Sequence, residues 1–157
     1  MAGIAPTINL GDMSKFNVAV VSASWHQEIC DALVAGAHRA LTQAKVKIQP
    51  VIHVPGSFEL PLAAQFALDA GADAAVVLGV VIRGETPHFD YVCQGVTQGI
   101  MDVSLSRSKP IGFGVLTVEN VTQAIARSGV AGSTEDKGFD ATVAALELLR
   151  VKDSVIG

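Results

Sequence analysis

Ala74-Ala75-Val76-Val77-Leu78-Gly79-Val80-Val81-Ile82 is apolar at every position, and it breaks abruptly into Arg83-Gly84-Glu85-Thr86-Pro87-His88. A strand with one wet face would alternate polar and apolar residues. This run does not, which is the pattern of a parallel strand buried on both faces. It is also far shorter than the roughly 20 residues a membrane-spanning helix requires. Upstream, residues 16–22 (Phe-Asn-Val-Ala-Val-Val-Ser) form another short β-branched run, read as a strand. Between the two strands, residues 27–44 place Ile29, Leu33, Ala37, Leu41 and Ala44 at helical spacing. Residues 46–54 put Val46, Ile48, Ile52 and Val54 on one face. Pro50 lies in the same register and marks an edge strand, because proline gives no hydrogen to a ladder. Residues 58–70 read as a helix ended by Gly71.

Downstream the alternation continues. Phe89, Val92, Val96, Ile100 and Val103 make residues 88–105 an amphipathic helix, and residues 111–118 (Ile-Gly-Phe-Gly-Val-Leu-Thr-Val) form a fourth core strand. Residues 119–127 and 137–150 read as two closing helices separated by a Gly/Ser-rich turn. Strands alternating with helices predict an α/β fold: a three-layer αβα sandwich around a doubly wound, parallel four-stranded sheet with right-handed crossovers. Residues 1–15 read as an N-terminal arm, with a short strand at 7–10 suited to join a neighbouring subunit. Residues 16–157 read as one domain.

Composition narrows the function. Of 157 residues, 50% are hydrophobic and 17% charged, below the roughly 25% charged usual for soluble domains. Such a chain is not disordered, and it is expected to cover both sheet faces and to bury large subunit interfaces. Eleven basic against fifteen acidic residues leave a net charge of −4, so nucleic-acid binding is not expected as the main activity. No basic start or apolar signal core opens the chain, so the expected location is cytoplasmic and no membrane partner is expected. Cys30 and Cys93 make neither a disulfide framework nor a zinc site.

In an open parallel sheet, ligands bind outside the carboxyl ends of the strands. Four segments fall there: Ser22-Ala23-Ser24-Trp25-His26, Pro55-Gly56-Ser57-Phe58-Glu59, Arg83 to His88, and the turn at residues 117–120. The polar and aromatic residues of this apolar chain gather in them. Thr86 is placed to cap a helix, with Pro87 at its first position and His88 in its first turn. The free amides there favour an anion, phosphate above all, and a histidine beside it suits proton transfer near neutral pH. The bland alternative is a capped helix with a solvated histidine. Trp25 is able to stack on a flat heteroaromatic ring, or simply to cover the sheet end. Ser57 to Glu59 offer amides and a carboxylate to a polyol, or form an ordinary tight turn.

Other chemistries lack their motifs. No Gly-x-Gly-x-x-Gly follows a strand, and there is no Gly-x-x-x-x-Gly-Lys-Ser/Thr. There is no Gly-x-Ser-x-Gly elbow, no Cys-x-x-Cys, and no metal spacing among His26, His38, His53 and His88. Dinucleotide and P-loop readings therefore fail, and metal catalysis has no support.

The run Arg83-Gly84-Glu85-Thr86-Pro87-His88-Phe89-Asp90 resembles the lumazine synthase family, the penultimate enzymes of riboflavin biosynthesis. Ser24-Trp25-His26, Val54 to Pro61, Leu78 to Gly84, Gly114 to Thr117, Gln123 to Gly129 and Asp136-Lys137-Gly138 extend the likeness over nearly the whole chain. The resemblance implies flavodoxin-like topology. It also implies a cofactor-independent condensation of 5-amino-6-(D-ribitylamino)uracil with 3,4-dihydroxy-2-butanone 4-phosphate. The product is 6,7-dimethyl-8-ribityllumazine, with phosphate and water released.

By position, Trp25 matches the aromatic that stacks on the pyrimidine, and Ser57, Phe58 and Glu59 match the ribityl-binding segment. Val80, Val81 and Ile82 match the strand end whose backbone reads the pyrimidine edge. Glu85, Thr86, Arg127 and Lys137 match the butanone phosphate side, and His88 matches the proton-transfer residue. Phe113 matches an aromatic donated by a neighbouring subunit, which places the site at an interface. His26 stands where asparagine is frequent, and Glu85 where small residues are common. The turn at 130–136 has the length of pentameric members, so the expected assembly is a homopentamer ahead of a decamer or icosahedral shell. Association with riboflavin synthase is a further expected partnership. Two other classes stand beside this reading. One is a non-catalytic homologue that binds lumazine or flavin or builds a shell, against which His88, Thr86 and Arg127 speak. The other is a receiver-type signalling domain, against which the missing acidic pair after the first strand speaks.

Overall fold

The computed structural model describes residues 4–157. Four parallel strands, β1 (Val18–Ala23), β2 (Ile52–Val54), β3 (Ala74–Ile82) and β4 (Ile111–Val118), lie in the order β2-β1-β3-β4. The helices are α1 (Gln27–Gln43), α2 (Leu60–Asp69), α3 (His88–Arg107), α4 (Val121–Ile125) and α5 (Lys137–Ile156). Together they make the αβα sandwich of flavodoxin-like topology. Strand β3 lies between β1 and β4, which explains its unbroken apolar run. Val76, Leu78 and Val80 pack toward the layer of α1 and α5, while Ala75 and Val77 pack toward α2 and α3. The two-residue period is present on both faces at once, so polar alternation disappears.

Glycines set how closely the layers approach. A Cβ on Gly138 of α5 would stand 2.0 Å from the Leu33 carbonyl oxygen of α1. On Gly112 of β4 it would stand 2.3 Å from the Ala141 carbonyl oxygen. Asp136 caps α5 by accepting from the Phe139 amide at 3.0 Å, and Arg39 of α1 bonds the same carboxylate. Gly95 and Gly99 on α3 make room for Phe58 and Pro61 at the start of α2.

Several boundaries differ from the sequence reading. The edge strand is confined to Ile52–Val54 instead of 46–54, paired with Val21–Ala23, and Pro50 just before it contributes no donor. The helix read at 58–70 opens as a 3-10 turn (Ser57–Glu59) before α2, whose first turn holds Pro61. The helix read at 119–127 shrinks to α4, capped by Asn120 accepting from the Gln123 amide at 3.0 Å. Helix α5 runs on to Ile156, beyond the expected 150. No strand is assigned at residues 7–10. Instead the arm lies along the molecule, where Arg150 donates to the Asn9 carbonyl at 3.2 Å. Residues 1–3 of the arm lie outside the described residues.

Helix α3 ends with Ser108 in the left-handed region (φ 49°), where the Lys109 amide returns to the Ser104 carbonyl. A side chain there is strained where glycine is not. Ser108→Gly is therefore expected to raise stability by about 0.5–1 kcal/mol, a gain of roughly 2–3 °C in thermal midpoint at fixed protein concentration.

Candidate active site

Strand β1 ends at Ala23, and the chain turns through Ser24, Trp25 and His26 into α1. Ser24 is bound to the end of β2: its hydroxyl donates to the Val54 carbonyl at 2.9 Å, and its amide to Pro55 at 3.3 Å. His26 takes the left-handed conformation (φ 55°) at the helix start. This turn presents Trp25 with 69% of its surface exposed, its backbone carbonyl accepting from the buried Cys30 thiol at 3.2 Å. Burial, with Asp31 adding, pushes that thiol up to about 11, so Cys30 serves as a structural donor and not as a nucleophile.

The indole edge lies over Gly56, where a Cβ would come within 3.6 Å of Trp25 Cδ1. Glu59 closes this turn from below by accepting from the Gly56 amide at 2.9 Å. One of its carboxylate oxygens is thus committed to the turn. Phe58 is 61% exposed beside it. Ser57 is only 6% exposed, and its buried hydroxyl has no hydrogen-bond partner among the described residues. An unsatisfied buried hydroxyl is costly in isolation, and here it sits over Gly79, within 2.6 Å of where a Cβ would stand.

That position matters because β3 outruns β1. The ladder between them ends at the pair Ser22 and Leu78, whereas the ladder to β4 continues to Ile82 and Val118. The β1 side of Val80, Val81 and Ile82 therefore has no neighbouring strand among the described residues, since β1 ends at Ala23 beside Gly79. Alternate residues face β4, as the Arg83 amide does, so Val80 and Ile82 turn their main-chain groups to the open side and form, with the Ser57 hydroxyl, a polar rail at the sheet end where Trp25 also stands. Such a rail suits a flat heterocycle with a polyol tail.

At the end of β3 the chain passes through Arg83 to Pro87 into α3. Helix α3 starts at His88, with Pro87 in the capping position, one residue later than expected. Thr86 nevertheless does the work of a cap, its hydroxyl oxygen accepting from the His88 amide at 3.4 Å. Boundary shifts of this size are usual at helix ends. Glu85, Thr86 and His88 are all exposed, so an anion has open access to this helix start.

Other expected residues lie elsewhere in the chain. Arg127 and Lys137 are neighbours, joined by the Lys137 amide donating to the Arg127 carbonyl at 3.0 Å. Among the described residues, neither bonds to the start of α3. The Lys137 ammonium is paired with Glu135 and Asp140. Those bonds, Glu135 first, raise its pKa, and the bond from Lys137 lowers that of Glu135. The Arg127 guanidinium donates to the Gln123 carbonyl at 2.9 Å and is the freer of the two cations. Phe113 stands opposite Val77, near the start of β4 and away from the carboxyl ends of the strands, and is 41% exposed on the edge strand β4. It lines a groove of about 740 Å³ with Tyr91, Gln94 and Thr117. No group of three or more His, Cys, Asp or Glu side chains placed to hold a metal ion occurs among the described residues. No described helix is long and apolar enough to cross a membrane.

Sequence reasoning assigned no role to Arg83, Asp90 or Glu119, which form one ion-paired group at the start of α3. Only the sequence nearness of Asp90 to His88 hinted at it. Pairing between residues 83 and 119 has no local signature.

An open parallel sheet with an aromatic platform, a bare strand end and a helix-start histidine defines an α/β enzyme acting on small polar molecules at its strand ends. The family model described as 6,7-dimethyl-8-ribityllumazine synthase matches residues 15–153. Curated proteins of that name are similar over most of their length. That of Streptomyces coelicolor is 50% identical over 142 residues, 90% of this chain and 88% of its own. That of Kineococcus radiotolerans is 57% identical over 136 residues, 87% of this chain and 84% of its own. That of Mycobacteroides abscessus is 51% identical over 142 residues, 90% of this chain and 88% of its own. The chain belongs to the 6,7-dimethyl-8-ribityllumazine synthase family.

Proposed function

We propose that the chain condenses 5-amino-6-(D-ribitylamino)uracil with 3,4-dihydroxy-2-butanone 4-phosphate in the riboflavin pathway, by holding the two substrates at the carboxyl ends of β1, β2 and β3. The observation that carries this reading is the bare end of β3 flanked by Trp25, the unpartnered Ser57 hydroxyl and His88. Trp25 stacks on the pyrimidine, the main chain of Val80 to Ile82 reads its edge, and Ser57 with the free oxygen of Glu59 takes the ribityl hydroxyls, Phe58 lying alongside. The ketone phosphate lies at the start of α3, where the Thr86 and Glu85 amides favour its charge. The amine forms an imine with the ketone and releases a water, phosphate leaves, and the ring closes with loss of a second water. His88 transfers protons in these steps. Holding two reactants in register accounts for most of the acceleration.

The decisive assay mixes both substrates with the protein and follows lumazine absorbance and fluorescence against a protein-free control. Acceleration that needs both substrates is the expected result. No acceleration by folded, assembled protein would favour the non-catalytic flavin-binding or shell-forming reading instead.

Arg127 and Lys137 reach the phosphate from a neighbouring subunit, and Phe113 is likewise donated across an interface. Supporting this, the site is open in a single chain, and two different apolar surfaces are exposed. One is the stripe Phe58, Leu62 and Phe66 at helical spacing, with Phe66 63% exposed; the other is the groove holding Phe113. Unlike surfaces pairing head to tail close into rings, and a ring of five is the proposed assembly. The N-terminal arm adds to a neighbour in the same ring, and riboflavin synthase is a proposed partner. Phe66→Glu is expected to shift the particle mass in sedimentation toward single chains, since it buries a charge in that contact; an unchanged mass would remove α2 from the interface.

Arg127→Ala is expected to raise the KM for the butanone phosphate by about 30- to 100-fold, the loss of one charge-assisted contact. Affinity for a pyrimidine analogue should stay within twofold. Equal weakening of both, read by titration, would reject the assigned role.

A further inference from the structure

The side chain of Arg83 ties together three parts of the molecule that local sequence does not connect. Its amide donates to the Val118 carbonyl at 3.0 Å, extending the β3–β4 ladder by one step. Its Nε donates to Glu119 Oε2 at 2.8 Å, at the exit of β4. Its Nη1 reaches Asp90 Oδ1 at 3.3 Å, in the first turn of α3. The guanidinium carbon lies 4.2 Å from the centre of the Phe89 ring, a stacking distance for a cation on an aromatic face. Phe89 and Asp90 are the two residues that follow His88.

The loop at 84–87 carries no regular structure, and a Cβ at Gly84 would meet nothing within 4 Å. The loop holds the helix start only through local bonds, the Thr86 hydroxyl accepting from the His88 amide at 3.4 Å and the Pro87 carbonyl from the Asp90 amide at 3.0 Å, and these tie it to nothing outside residues 86–90. Asp90 makes the only ion pair of the first turn of α3 among the described residues. One residue of helical rotation moves a side chain by about 100°, so a pin on Phe89 and Asp90 sets the direction in which His88 points. Arg83 is half-exposed, and a single exposed pair would hold little. Here a planar donor fork engages two carboxylates and a ring at once, an arrangement a lysine ammonium does not reproduce.

We propose that Arg83 is a positioning residue for the condensation, orienting His88 by clamping the first turn of α3 to the exit of β4. The inference rests on the proposed reaction and on His88 as its proton-transfer residue. Misplacing a catalytic group by about 1 Å is able to cost up to 100-fold. Arg83 acts on His88 alone and not on substrate, so its removal shows in kcat and not in the pyrimidine KM.

The test is a cycle of steady-state kinetics on assembled protein: wild type, Arg83→Met, His88→Ala, and the double variant. Arg83→Met is expected to lower kcat about tenfold with the pyrimidine KM within twofold. In the His88→Ala background the same change should cost less than twofold, because there is no imidazole left to misplace. Arg83→Lys should recover only part of kcat. Asp90→Asn and Glu119→Gln, each removing one arm of the clamp, repeat the test should Arg83→Met not assemble. An equal fold-loss in the presence and absence of His88 would overturn the proposal, as would full activity in Arg83→Met. An inactive wild type would instead reject the condensation itself.

Discussion

His88→Ala is expected to lower kcat about 100-fold while a pyrimidine analogue still binds within twofold of wild type. The figure sits at the low end of what a positioned proton-transfer group contributes, because orientation of two substrates supplies the larger share here. The structure gives the reason for the split. His88 starts α3, beyond the end of β3, whereas the pyrimidine-binding groups proposed are on β3 itself, the β1–α1 turn and the turn after β2. Removing the imidazole leaves the Trp25 platform and the bare strand edge as they were. Thr86 accepts from the main-chain amide of residue 88, a bond that alanine preserves. Steady-state rates and an equilibrium titration with the analogue check both halves. Parallel loss of turnover and binding would make His88 a binding or structural group.

Gly138→Ala is expected to cost about 3 kcal/mol, at the upper end of overpacking penalties. The added methyl would stand 2.0 Å from the Leu33 carbonyl oxygen and 2.7 Å from its carbon. Those are main-chain atoms in mid-α1, which have no rotamer to turn aside. Gly138 also lies two residues beyond Asp136, the cap that joins α5 to Arg39 of α1. Forcing the helices apart therefore disturbs the cap and, through it, the neighbouring Lys137. A fall of about 9 °C in thermal midpoint at fixed protein concentration is the expected reading. An unchanged midpoint would show that α1 and α5 slide apart freely.

Much of this molecule was legible before its tertiary structure. The apolar run at 74–82 identified a strand buried on both faces and, with the helical spacing around it, a parallel sheet. The rule that ligands sit at carboxyl ends then selected Trp25, Ser57 and the segment from Arg83 to His88. These features are local: a period of two or 3.6 residues, a capping residue, a proline that ends a ladder. Boundaries were less legible, as at 46–54, where only Ile52–Val54 found a partner strand. Val18 to Val20 of β1 were still available to pair, so what stopped the ladder short is Pro50, which has no N–H to give to it.

Only the tertiary structure decided the rest. That β3 outruns β1, leaving a bare polar edge beside the orphaned Ser57 hydroxyl, depends on the register of two strands more than fifty residues apart. That Arg83 meets Glu119 and Asp90, and that Asp136 meets Arg39, depends on where helices stop and turn. By itself the sequence determined which residues are apolar, which are free to turn and which carry charge. Which charges meet was decided by packing, because a side chain's partner is chosen by distance in space and not along the chain.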